Sequence, residues 1–85
     1  MDDEKDKGIE SRIKKDIAMF DKSIQEFSYN GNDKEVIDII ELSKMYASDS
    51  ESYLKKGDFY TSFSCISYAH GLLDSIKKLY GDNDV

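Results

Sequence analysis

The sequence predicts an all-α protein, an antiparallel three-helix bundle with helices over about 9–28, 33–56 and 59–80. Three observations carry that reading. Proline is absent, so nothing in the chain forbids long uninterrupted helices. In three segments the apolar residues recur at steps of three and four, the period of a helix face and not of a strand. Between those segments lie short clusters of Gly, Asn, Asp and Ser, which end one helix and start the next.

The first helix has the cleanest pattern. Ile9, Ile13, Ile17, Phe20, Ile24 and Phe27 trace one narrow stripe, and Lys14, Lys15, Asp16, Asp21, Lys22 and Glu26 fall off it as a solvated back. Residues 1–8 are charged, have no apolar anchor after Met1 and end in Gly8, so they are expected to be a disordered acidic tail. Residues 82–85 are expected to be a second tail, leaving 9–81 as a single helical domain.

Ser28 to Asp33 is the one clear loop. Gly31 can end the first helix, and Asn32 with Glu35 three residues on is expected to form a capping box for the second. On a helical wheel Val36, Ile40, Ala47 and Leu54 share a line, flanked by Ile39, Tyr46 and Tyr53 on one side and Ile37 on the other. Ser43 and Ser50 fall inside this apolar face. Small residues there would let a neighbouring helix approach closely, each hydroxyl bonding the carbonyl four residues earlier. The alternative is a polar groove lined by Ser43, Tyr46, Ser50 and Tyr53.

The second and third helices meet in a tight hairpin. Lys55 and Lys56 sit in the last turn, where cations face the negative end of the helix dipole. Gly57 suits a left-handed exit, and Asp58 can accept the first amide hydrogens of the next helix. Beyond it Phe59, Phe63, Ile66, Ala69, Leu73, Ile76 and Tyr80 form an apolar face that Cys65, Leu72 and Leu79 widen. A helix so widely apolar must touch two neighbours, so the third helix is expected at the centre with the first as its cover.

Composition narrows the function classes. A chain of 85 residues buries roughly 60% of its unfolded surface, so it is marginal unless packing is efficient or two copies share a core. With six Tyr, four Phe and no Trp, aromatic rings must supply much of that burial. A net charge of −6 and a pI near 4.6 argue against nucleic-acid or anionic-membrane partners. One cysteine and one histidine exclude a disulfide scaffold and a Cys/His zinc finger. No apolar run approaches the roughly 18 residues that span a bilayer, and the acidic start lacks an export signal, so a cytoplasmic protein is expected.

Chemistry-bearing residues are few. His70 lies one turn before Asp74, so an intrahelical pair is available, and Ser67 is nearby; one straight helix does not converge these three on an oxyanion site, and no enzyme is expected. Cys65 has no His or Lys one turn away to activate it. Metal-ligand spacings and a Gly-rich phosphate loop are both missing, so neither a metal nor a cofactor is expected. Gly71 stands out, because glycine within a helix costs about 1 kcal/mol relative to alanine. It lies on the outer side of the third helix with Ser64 and Ser75, bordered by Tyr60 and Tyr68, and this face is expected to meet a second copy or another helical partner. The competing expectation is a small-ligand or nucleotide pocket between helices two and three, around Tyr46, Ser50, Tyr53, His70 and Asp74.

The run YLKKGDFYTSFSCISYAHGLLDSIKKL from Tyr53 onward resembles the small archaeal Domain of Unknown Function 357 family. The tyrosine-leucine pair, the Lys-Gly-Asp turn with its aromatic, and Tyr68, Ala69, Gly71, Leu72, Leu73 and Asp74 carry the resemblance, which covers about 35 residues from Tyr46 and the first helix loosely. It implies a short helical bundle from an archaeon and no assigned activity. The Gly57, Asp58, Phe59 turn is also similar to one tetratricopeptide unit, but stacked arrays need about three repeats and only one fits. Helical domains that partner nucleotidyltransferases are similar in helix content; their Arg-x4-6-His motif is missing, since Arg12 is far from His70.

Overall fold

The computed structural model describes residues 2–81, with side chains over 7–80. Three helices follow in order: α1 (Asp2–Glu26), α2 (Lys34–Lys55) and α3 (Phe59–Ile76), the last passing into a π-helical turn, Lys77–Gly81. They pack as an all-α three-helix bundle. The α2–α3 hairpin is the most extensive contact, α1 leans on α3, and α1 and α2 touch least, so α3 is central as its wide apolar face requires.

α1 begins at Asp2 and not near Ile9, so the expected tail is helical from its second residue. Gly8 does not break the helix, because one glycine costs only about 1 kcal/mol among ordinary helix formers. The helix stops at Glu26, with Phe27 N–H still reaching the Ser23 carbonyl at 3.0 Å. Residues 82–85, the other expected tail, lie outside the described residues.

The loop before α2 differs in its cap. Asp33, not Asn32, is the N-cap: its backbone is extended and its carboxylate accepts the Glu35 amide at 2.9 Å. The ring of Tyr29 folds over the loop, and its hydroxyl accepts the Asp33 amide at 3.2 Å. A Cβ on Gly31 would stand 2.6 Å from the Tyr29 ring carbon Cζ, so a side chain there would displace the outer end of the Tyr29 ring.

The hairpin turn follows the sequence closely. Gly57 has φ +81, its N–H donates to the Leu54 carbonyl, and the Asp58 N–H donates to the Tyr53 carbonyl, each at 3.0 Å, the two bonds of a Schellman motif. The Asp58 carboxylate then accepts the Thr61 amide at 3.1 Å as N-cap of α3.

Ile13, Ile17, Phe20, Ala47, Ile66, Ala69 and Leu73 form the core cluster, with Ile24, Phe27, Tyr46, Leu54 and Phe59 packed on it. The buried line of α3 is Ser62, Ile66, Ala69, Leu73 and Ile76. Phe63 and Tyr80, expected on that line, are 38% and 44% exposed. Ser62 holds the interface position beside Phe63, and the π turn shifts Tyr80 out of α-helical register, where its ring meets Tyr29 edge-on at 5.4 Å.

The molecule is elongated, 48 × 24 × 16 Å, with a radius of gyration of 14.4 Å against about 12 Å for a compact chain of this length. Its surface of 6104 Å² exceeds the roughly 5,200 Å² of a compact monomer of this mass. Large apolar side chains share that surface, Tyr60, Tyr68 and Leu79 among them.

Candidate functional site

The outer side of α3 faces neither neighbour. The reason lies in where its other sides are used. Ser62 and Ala69 are sealed against α2, and His70 turns to α1, leaving Tyr60, Ser64, Tyr68, Gly71 and Ser75 along the free side. All five of these expected face residues are exposed, Tyr60 to 88% and Tyr68 to 51%. The Ser64 hydroxyl donates to the Tyr60 carbonyl at 3.1 Å and the Ser75 hydroxyl to the Gly71 carbonyl at 3.0 Å. Both serines therefore satisfy themselves within the helix and leave a low surface between the tyrosines.

Gly71 has no internal explanation. A Cβ built there meets nothing within 4 Å, and its φ is not the left-handed kind that favours glycine. At one border the Tyr68 ring rests edge-on against Tyr46 of α2, centroids 4.6 Å apart, which holds one rim of the face in place. At the other, Ile9, Phe59, Tyr60 and Phe63 line an apolar depression of about 410 Å³ between the start of α3 and α1.

The electrostatics of this side are as distinctive as its shape. From Phe59 to Leu73 the chain carries no Asp, Glu, Lys or Arg, although 35% of its residues are charged. A helix apolar all round is buried on all sides; the outer side of α3 is neutral instead, with Ser64, Gly71 and Ser75 between its tyrosines. Here one side is open. Charge returns only at the ends, with Asp58 before the helix and Asp74, Lys77 and Lys78 after the neutral stretch. The five residues are exposed on the side where the wheel put them, and the charge-free run was readable directly from the sequence as well.

The second set of expected residues does not converge. Ser50 is fully buried, its hydroxyl donating to the Ser62 carbonyl at 2.7 Å, and the Ser62 hydroxyl donates back to the Ser50 carbonyl at 2.7 Å. Neither serine makes the expected bond to the carbonyl four residues earlier: Ser43 donates to the Ile40 carbonyl, three residues back, at 2.7 Å, and Ser50 bonds across to α3. Tyr46 is taken by Tyr68, and Tyr53 carries the Lys56 ammonium 5.3 Å above its ring. The expected His70–Asp74 pair is not formed: His70 Nε2 donates to the Asp16 carbonyl of α1 at 2.9 Å, and its ring stands edge-on to Phe20. The carbonyl can only accept, so Nε2 carries the proton. Asp74 is exposed. Ser50 is bonded across the seam to α3 while His70 turns to α1.

Ser62 escaped the sequence reading. Its position four residues before Ile66 on the α3 stripe was the available signal. The Cys65 thiol is pushed up from its ordinary value by burial, with the negative charges of Asp49 and Asp58 adding to it. Among the described residues no three His, Cys, Asp or Glu side chains gather closely enough to hold a metal ion, and no helix is long and apolar enough to cross a membrane.

The model of the family of proteins of unknown function DUF357 matches residues 15–81, most of the chain. The chain belongs to the DUF357 family. No curated protein matches it significantly. The DUF357 match takes in α1 from Lys15, all of α2 and α3, and the π-helical turn. It is wider than the 35 or so residues on which the sequence resemblance was based, and it covers the whole outer face of α3.

Proposed function

We propose that the protein is a non-enzymatic helical interaction module whose contact surface is the outer side of α3. The observation that carries this reading is the absence of charge from Phe59 to Leu73 on a helix whose Tyr60 and Tyr68 stand exposed. Keeping such a side in water would ordinarily select charged residues, as the back of α1 shows with Lys14, Lys15, Asp21 and Lys22. The neutral side instead offers aromatic contact area at its rims and low ground between them, the profile of an interface centre depleted of charge.

Placing a charge in this side tests the reading. Ser64→Glu alters an exposed position, and the fold is expected to survive it, which circular dichroism checks. Light scattering of the purified chain and affinity capture from a native extract are then compared between wild type and variant. Loss of self-association or of a captured protein is expected. A folded variant unchanged in both assays would overturn the proposal.

A further inference from the structure

We infer that the occupant of the α3 face is the α3 face of a second copy, packed antiparallel about a two-fold axis that passes between Ser67 and Tyr68. The inference rests on the interaction reading above and names its partner. In an antiparallel pair related by a two-fold at that point, each residue lies level with the one equally far on the other side of the axis. Ser64 then lies level with the partner's Gly71, and Tyr60 with the partner's Ser75. The largest exposed side chain of the face thus meets a small one, Ser64 and Gly71 meet about 5 Å to either side of the crossing, and the Tyr68 rings of the two copies flank the axis at one rim. That is the self-complementarity a two-fold interface demands, because one patch must serve as both knob and hollow.

The ends agree with the middle. Lys78 comes level with the partner's hairpin turn, next to the partner's Asp58, so each end of the contact joins a cation to an anion. Lys56, the nearest like charge in that turn, is drawn away over the Tyr53 ring. Asp74 falls beside the partner's Tyr60, whose hydroxyl is a donor. Two chains of net charge −6 repel over most of their surface, and this side is where they can meet without opposing carboxylates. Parallel packing would set Tyr60 on Tyr60 and Lys78 on Lys78, losing both matches.

The contact from Tyr60 to Ser75 runs roughly 22 Å along the helix. One helix pair of that length buries less than the roughly 800 Å² per partner of a standard interface, so the dimer is weak and its population rises with concentration.

Single cysteines in a Cys65→Ser background test the register. Ser67 lies beside the axis and meets its own copy, so Ser67→Cys is expected to convert to a covalent dimer under mild oxidation. Ser48→Cys on α2 and Ser75→Cys are not, whereas an equal mixture of Tyr60→Cys and Ser75→Cys chains is expected to cross-link. Light scattering of the wild type is expected to move from monomer toward dimer mass as concentration rises. Equal cross-linking at Ser67 and Ser75 would show parallel packing and overturn the inference. Monomer mass at all concentrations with no Ser67 cross-link would exclude the second copy. The interaction reading would then survive only if Ser64→Glu abolished capture of a different protein.

Discussion

Ser62→Val is the substitution that most directly tests how α2 and α3 are held. The two serine hydroxyls lie 3.0 Å apart, both residues are fully buried, and each hydroxyl bonds the other helix's backbone at 2.7 Å. Ser62→Ala removes one hydrogen bond, worth about 1 kcal/mol, and orphans no donor; alanine's better helix propensity returns roughly 0.5 kcal/mol. The net cost is about 0.5 kcal/mol. Valine loses the same bond and forces two methyl groups into a seam that has no room, which costs about 1–3 kcal/mol more. The total is about 2–4 kcal/mol, a large share of the roughly 4–13 kcal/mol expected for a domain of this length. At about 4–8 °C per kcal/mol, thermal unfolding followed by circular dichroism should place alanine a few degrees below wild type and valine well below alanine. A loose or wet seam predicts the reverse order, because burying added methyl groups would be favourable. Valine as stable as alanine would therefore refute the close serine contact.

The remaining expectations concern local devices. Asp58→Ala removes the cap on the Thr61 amide and should cost about 1 kcal/mol in denaturant unfolding, whereas Asp58→Asn should cost much less. Gly31→Ala should displace the Tyr29 ring, break its hydroxyl bond to the Asp33 amide and its contact with Tyr80, and alter tyrosine near-ultraviolet dichroism; an unchanged spectrum would contradict the packed loop. The Cys65 thiol, pushed up by burial and by Asp49 and Asp58, holds its proton to higher pH than a free cysteine. Its thiolate fraction at neutral pH is correspondingly lower, so a disulfide reagent should react more slowly than with the unfolded chain, and the rate should climb as pH rises; equal rates at pH 7 would refute it. Gly71→Ala adds a Cβ that meets nothing in the monomer, so it should stabilise the fold by up to about 1 kcal/mol.

What the sequence made legible follows from the range of the interactions involved. The α2–α3 turn was readable because Gly57 and Asp58 act on residues within one turn of themselves, and their chemistry is local. The α1 stripe was readable because a narrow face has only one way to be buried. The reciprocal serine clasp was only half readable: Ser50 on an apolar face signals a close neighbour, but its hydrogen-bond partner, twelve residues away across the turn, leaves no local signature. The His70 contact was misread for a related reason: Asp74 advertises itself one turn away by its side chain, while the true acceptor is a backbone carbonyl of α1, which has no sequence signature. The start of α1 was misplaced because apolar periodicity marks where a helix packs, and a helix can run on past its last packed residue.

Three glycines show how far folding alone explains this chain. Gly57 is required by a left-handed backbone, and at Gly31 a Cβ would displace the packed Tyr29 ring. Gly71 answers to neither, since it sits within a helix of ordinary handedness with open space where a side chain would go. Alanine there would be about 1 kcal/mol better for the isolated monomer, a large increment for so small a domain. The monomer gains nothing from the glycine that offsets this. On the proposed interaction reading the compensation lies outside the monomer, where another backbone would approach, and the neutral surface between Tyr60 and Tyr68 is the ground on which that approach can occur without burying a charge.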